Sequence, residues 1–198
     1  MPYLSVVVLP VPQADKDEFL AAWPTIAAKM SALPMVQGVT GGPIVGEDGA
    51  PTTEFKFLQT TVFKTLEDEK AFDESDFIKE GAKKLAEKGL AEPIHQTFEI
   101  PDFNEEKPKA FTQMSRITGA DKSKGPEIKK AWEDLMKILG KESFGGLSVG
   151  DGPRAGLGLA GWDSLEEAKA AFQKPEAKAA FDHYHSFGEC KDIIAQLA

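Results

Sequence analysis

The side chains able to move protons near neutral pH are few: His95, His183 and His185, with Tyr184 between the last two. An imidazole titrates near pH ~6.5, so it serves as general base or acid without large perturbation. His95 lies in Ile94-His-Gln-Thr-Phe-Glu-Ile100, whose alternation reads as a strand. Side chains two apart in a strand share a face, so His95 and Thr97 look away from Ile94, Phe98 and Ile100. If that face lines a cavity, His95 is the best-placed general base. His183 and His185 fall in a helical stretch, where residues two apart diverge by about 200° and do not share a metal ion. No other spacing of cysteine, histidine and carboxylate completes a zinc or iron set, so no metal is expected. Tyr184 and His185 join His95 as catalytic candidates.

Arg116 sits in a predicted strand, where a buried guanidinium needs an anion. It is a candidate anchor for a carboxylate or phenolate; an ion pair at a sheet edge is the alternative. Phe55, Phe57, Phe111, Trp23 and Trp132 are candidate apolar walls for a ligand, and the tryptophans also suit core packing. Cys190 has only Lys191 beside it to lower its pKa, which points to an inert thiol. Two glycine patterns invite a chemical reading. Gly146-Leu-Ser148-Val-Gly150 has the spacing of a nucleophile elbow, but it lies within a predicted strand rather than between strand and helix. Gly156-Leu-Gly158-Leu-Ala-Gly161 has the spacing of a dinucleotide fingerprint, but it too aligns with a strand, where glycines make room. No cofactor is expected.

The elements that would carry these groups occur twice. Residues 3–9 read as a strand ending at Pro10 and Pro12. A helix follows from Asp15 or Asp17 through Phe19, Leu20, Trp23, Ile26 and Met30, with Pro24 awkwardly inside it. Residues 35–45 and 54–65 form a hairpin around Glu47-Asp48-Gly49. Helices over 66–72 and 77–88 and the strand 94–100 complete β-α-β-β-α-β. Residues 101–109 are polar and proline-flanked, a linker. The second half then repeats the order: strand 111–117, helix from Pro126, hairpin 144–149 and 154–162, helices 165–172 and 175 to about 188, and strand 191–197. Trp162-Asp-Ser-Leu-Glu-Glu-Ala echoes Phe63-Lys-Thr-Leu-Glu-Asp-Glu, and Glu127-Ile-Lys-Lys-Ala-Trp132 matches Glu18-Phe-Leu-Ala-Ala-Trp23.

The expected fold class is therefore α+β: two ferredoxin-like β-α-β-β-α-β repeats fused in one chain, their antiparallel sheets packed as an intrachain α+β barrel. Residues 1–100 form the first repeat, 101–109 the linker and 110–198 the second. A formal charge of −9 argues against a nucleic-acid partner. No apolar run approaches the ~20 residues of a membrane span, and the apolar start lacks the basic residues of a signal peptide. One cysteine excludes an intrachain disulfide and suits a cytoplasmic location.

Trp162-x-Ser-Leu-Glu-Glu-Ala, Lys174-Pro-Glu-Ala and the helix bearing Phe181, Tyr184 and Phe187 resemble the dimeric α+β barrel superfamily. That superfamily includes the antibiotic-biosynthesis monooxygenase-like and stress-responsive A/B-barrel families, and the resemblance covers nearly the whole chain. It implies a pseudo-dimer closed within one chain, with a further homodimer open, and a small hydrophobic or aromatic molecule as partner. It also implies cofactor-independent chemistry: oxygenation, cyclisation or proton transfer. The polyketide cyclases of the A/B-barrel family carry His-Pro-x-His where this chain has Lys174-Pro175-Glu176-Ala177 and Glu74-Ser75-Asp76-Phe77. No histidine here matches the axial ligand of the haem-binding members. The alternative is a non-enzymatic barrel with a filled core.

Overall fold

The computed structural model describes residues 2–90, 93–101, 109–150 and 152–197, with only the backbone of Ile94. In chain order these form β1 (Tyr3–Leu9), α1 (Lys16–Ser31), β2 (Val36–Glu47), β3 (Ala50–Pro51), β4 (Phe57–Phe63), α2 (Leu66–Asp73), α3 (Asp76–Glu87) and β5 (Ile94–Glu99). The second half gives β6 (Phe111–Thr118), α4 (Gly125–Leu139), β7 (Phe144–Ser148), β8 (Ala155–Trp162), α5 (Leu165–Ala171), α6 (Pro175–His185) and β9 (Glu189–Gln196). Most of the expected linker, residues 102–108, lies outside the described residues, as does Asp151 in the second hairpin.

The strands run in the order β2-β4-β1-β5-β7-β8-β6-β9, and β9 pairs back onto β2, so eight strands close into an antiparallel barrel. The short β3 hangs from β2 outside the ring. One seam joins β5 to β7 through Phe98–Ser148 and Glu99–Leu147. The other joins β2 to β9 through Ile44–Ala195, Gly46–Ile194 and Glu47–Ile193, with a register shift.

Strand alternation divides the apolar residues between two environments. Leu4, Leu58, Phe98, Met114, Leu157 and Ala195 belong to a buried cluster that draws on all eight barrel strands and on no helix, so it fills the lumen. The opposite faces lie under helices. Met30, Phe63 and Phe72 pack with residues of α1, α2 and α3 on the first half. Ile117, Trp132, Leu135, Trp162 and Tyr184 do the same beneath α4, α5 and α6. Burying each large side chain contributes about 1.5–3 kcal/mol, so all three layers hold the barrel shut.

The sequence echo has a local cause. Thr65 Oγ1 accepts from the Asp68 backbone N–H at 3.1 Å, and Asp68 returns a bond to the Thr65 N–H. Ser164 Oγ accepts from the Glu167 N–H at 3.0 Å. Both stretches are helix N-caps that follow a strand-ending aromatic.

Some boundaries differ from expectation. α1 starts at Lys16 with no side-chain cap from Asp15, and it runs through Pro24 without restarting. β4 starts at Phe57 rather than at residue 54, because Ala50–Pro51 folds back on Gly46 and Glu47 first. α6 stops at His185, and β9 begins at Glu189, two residues ahead of the expected strand start.

Candidate functional site

The glycine patterns resolve into packing. Ser148 Oγ accepts from the Ala155 N–H at 2.8 Å and so fastens the β7–β8 hairpin. A Cβ on Gly158 would stand 2.4 Å from the Trp132 ring, and one on Gly41 would stand 2.4 Å from Trp23. The space made by Gly158 is thus on the outer face, for a helix tryptophan.

The aromatic candidates distribute accordingly. Phe57 is fully buried between Phe19 at 4.9 Å and Trp23 at 4.7 Å between ring centroids. Phe55 lies beside this group, with Lys16 Nζ 5.7 Å above its ring. Trp132 donates from Nε1 to the Phe144 carbonyl at 3.0 Å, and Phe111 packs partly buried in the same outer layer of the second half. Arg116 shares the lumen-facing parity of Met114, and its Nε donates to Gln96 Oε1 at 2.6 Å. Its partner is therefore an amide that itself donates to the Pro153 carbonyl, not the acid that a sheet-edge ion pair would need.

His95 occupies the outer face of β5, across from Val7 of β1, and its side chain is 39% exposed. Its Nε2 lies 2.8 Å from Ser5 Oγ, 3.3 Å from Thr97 Oγ1 and 3.3 Å from Glu69 Oε1 of α2. Thr97 Oγ1 donates to the same Glu69 oxygen. Glu69 and Asp73 are four apart, so one face of α2 presents both carboxylates to the strand. Ser5 and Thr97 are 5% and 6% exposed, so the hydroxyls sit in the layer between sheet and helix where apolar contacts would otherwise be.

The electrostatics follow from these contacts. The Glu69 hydrogen bond raises the His95 pKa above its ordinary value; burial opposes this, and the Asp73 and Glu69 charges add to it. Burial raises the Asp73 carboxyl, with His95 opposing and Glu69 adding. Nε2 faces Ser5 Oγ, Thr97 Oγ1 and the Glu69 carboxylate, and Nδ1 has no hydrogen-bond partner among the described residues. The arrangement is a carboxylate that orients an imidazole whose other nitrogen is left to accept a proton.

Tyr184 and His185 belong to the other half. Tyr184 is 2% exposed and touches Trp132 at 5.2 Å between centroids. Burial pushes its phenol well above the ordinary range. His185 Nε2 stands 2.9 Å from Asp192 Oδ2 of β9, and the Phe181 ring lies 3.9 Å from its imidazole. The three catalytic candidates thus do not converge: His95 faces α2 from β5, and the other two lie on α6. His183 faces Phe187 and joins neither group.

Sequence reasoning missed Ser5, Glu69, Asp73, Ser115 and Asp192. A usable signal was present for two of them, since Glu69 and Asp73 flank the buried Phe72 at helical spacing on an otherwise solvated helix. A shallow surface hollow of about 320 Å³ lies at the start of α2, lined by Tyr3, Lys64, Thr65, Leu66 and Glu67. Tyr3 shares the outer face of β1 with Ser5. Among the described residues, no three histidine, cysteine or acidic side chains are grouped to hold a metal ion, and no helix is long and apolar enough to cross a membrane.

No family model matches this sequence, and no curated protein matches it. Solved structures do. A "putative monooxygenase" from Fusobacterium nucleatum superposes with a TM-score of 0.68 at 12% identity, over 99% of this chain and 92% of its own. An anthrone oxidase-like protein gives 0.69 at 14%, over 100% and 91%. A "putative monooxygenase" from Lactobacillus acidophilus gives 0.61 at 14%, over 100% and 95%. At such identities the likeness shows the fold: a mixed α+β chain closed around an antiparallel eight-strand barrel.

Proposed function

We propose that this chain is a cofactor-independent barrel enzyme that takes a proton from a small aromatic ketone or phenol, with His95 as the base. The observation that carries the reading is the His95–Glu69 pair, in which Nε2 lies 3.3 Å from the carboxylate and Nδ1 has no hydrogen-bond partner among the described residues. Ser5 and Thr97 fix the imidazole further. The hollow beside Tyr3, of about 320 Å³, is within the size range of small-ligand sites and is the proposed approach.

An anthrone is the substrate type that suits both this site and the names of the similar structures. Its ring CH2 loses a proton to His95 Nδ1, and the resulting carbanion reduces molecular oxygen. The CH2 becomes C=O, and one dioxygen leaves one oxygen in the quinone and one in water. Substrate carbon is thus the sole reductant. In the same proposal the chain is a tandem of two ferredoxin-like repeats, residues 1–100 and 110–198, working as one closed pseudo-dimer in the cytoplasm.

A second reading has its own support: Leu4, Leu58, Phe98 and Leu157 fill the lumen, as in a barrel that serves only as structure. One assay separates the two. Oxygen uptake with anthrone as probe, followed by quinone absorbance, is expected in the native chain and lost at least a hundredfold in His95→Gln. Equal rates in that variant, or no uptake by the native chain, would sink the enzymatic reading.

A further inference from the structure

Beneath α6, polar groups meet in a place built for apolar ones. Ser115 is fully buried, Asp192 is 7% exposed and Tyr184 is 2% exposed, all within the layer between the second half of the barrel and its helices. Ser115 and Asp192 are direct partners across β6 and β9. Ser115 Oγ adjoins both the Tyr184 phenol and the Asp192 carboxylate, and it draws both of their pKa values down against the burial that raises them.

Yet the geometry leaves three of these atoms unsatisfied. Ser115 Oγ, Asp192 Oδ1 and His185 Nε2 are buried and have no hydrogen-bond partner among the described residues. His185 Nε2 is within ion-pair distance of Asp192 Oδ2, at 2.9 Å, but its N–H direction misses the oxygen. An unsatisfied buried polar atom is destabilising, so three at one spot would be a heavy penalty. Asp48 does not relieve it. Its side chain accepts from the Asp192 backbone N–H at 3.0 Å, and its negative charge raises the Asp192 carboxyl further.

We infer that Ser115, Tyr184, His185 and Asp192 form an internal site for one hydroxyl group, supplied by water or by a phenol. A hydroxyl matches the donors and acceptors present. It donates to Asp192 Oδ1 and accepts from both Ser115 and His185, which satisfies all three orphaned atoms with one oxygen. The His185 side chain is 32% exposed and gives the site its side toward solvent. Phe181, its ring tilted 44° to that imidazole, offers an apolar flank for a phenol ring. The site stands apart from His95 and does not depend on the activity assigned there.

Ser115→Ala is the discriminating variant. Deleting a hydroxyl that is bridged in the folded state should lower the folding equilibrium constant about fivefold or more, read from urea unfolding. Deleting an orphaned hydroxyl leaves that constant unchanged or raises it, and this result would overturn the site. A crystal structure of the native chain gives an independent check. Density about 2.7–3.2 Å from both Ser115 Oγ and Asp192 Oδ1 is expected. After a phenol soak, a ring attached to that peak assigns the hydroxyl to a ligand, and an unchanged single peak assigns it to water. A direct Ser115–Asp192 hydrogen bond with no density between them would refute the inference.

Discussion

His95 and Asp192 occupy the same position in the two halves of the barrel. Phe63 and Trp162 each stand two residues before a helix cap and pair with Tyr3 and Phe111. Four residues along, Val7 faces His95 and Ser115 faces Asp192. At this shared position the first half places an imidazole on the strand and takes its acids, Glu69 and Asp73, from α2. The second half places the acid on the strand and takes its imidazole, His185, from α6. The pair is kept and its polarity is exchanged.

The His95–Glu69 contact predicts a pH signature. Because the folded pKa of His95 is raised, its contribution to stability is fully present below the unfolded value of ~6.5 and is lost as pH rises through the folded value. Glu69→Gln should lower the His95 titration midpoint seen by NMR and flatten this pH dependence. With His95 39% exposed, the stability change stays below about 1 kcal/mol. An unmoved midpoint would show that Glu69 does not hold the imidazole.

Gly158 carries a steric prediction. Gly158→Ala places a methyl where Trp132 ring atoms stand 2.4 Å away, so the indole must shift. Overpacking of this kind costs about 1–3 kcal/mol, measurable in urea unfolding together with a change in tryptophan fluorescence. Gly41→Ala should do the same at Trp23. A neutral result at both would mean that the helices ride further from the sheet than the structure places them.

The paired N-caps should respond alike. Thr65→Ala and Ser164→Ala each remove an acceptor from a backbone N–H at the first turn of a helix. Each is expected to cost about 1 kcal/mol, and the two should add because they lie in different halves.

Cys190 should be slow to react. Burial, helped by the charges of Asp192 and Asp48, pushes its thiol up to about 12. At pH 8 its thiolate population, and hence its labelling by a disulfide reagent, should fall about a thousandfold below that of an unhindered cysteine. Rapid labelling would place the thiol at the surface.

The sequence foretold the element order because apolar periodicity and capping residues are local signals, and both halves carry them in register. It also placed His95 and Thr97 together on one strand face. It did not reveal what faces them. Glu69 reaches His95 only because the fold lays α2 over the outer face of the sheet, a tertiary placement that no spacing within 66–73 encodes. The separation of His95 from His185 had the same origin, since only the ring closure through β5–β7 and β2–β9 sets β5, with His95, apart from α6, with His185. Arg116 reads as an anion seeker by type, and only the fold supplies Gln96 across the lumen.

Closing both seams within one chain has a consequence beyond stability. In a barrel made from two identical chains, any substitution is made twice, and each half must tolerate what the other needs. Here the position shared by His95 and Asp192 can be edited on one side alone. Because both halves belong to one chain, dilution does not part them. A single chain is thus free of the demand for symmetry, and the imidazole and carboxylate stand exchanged at one such position.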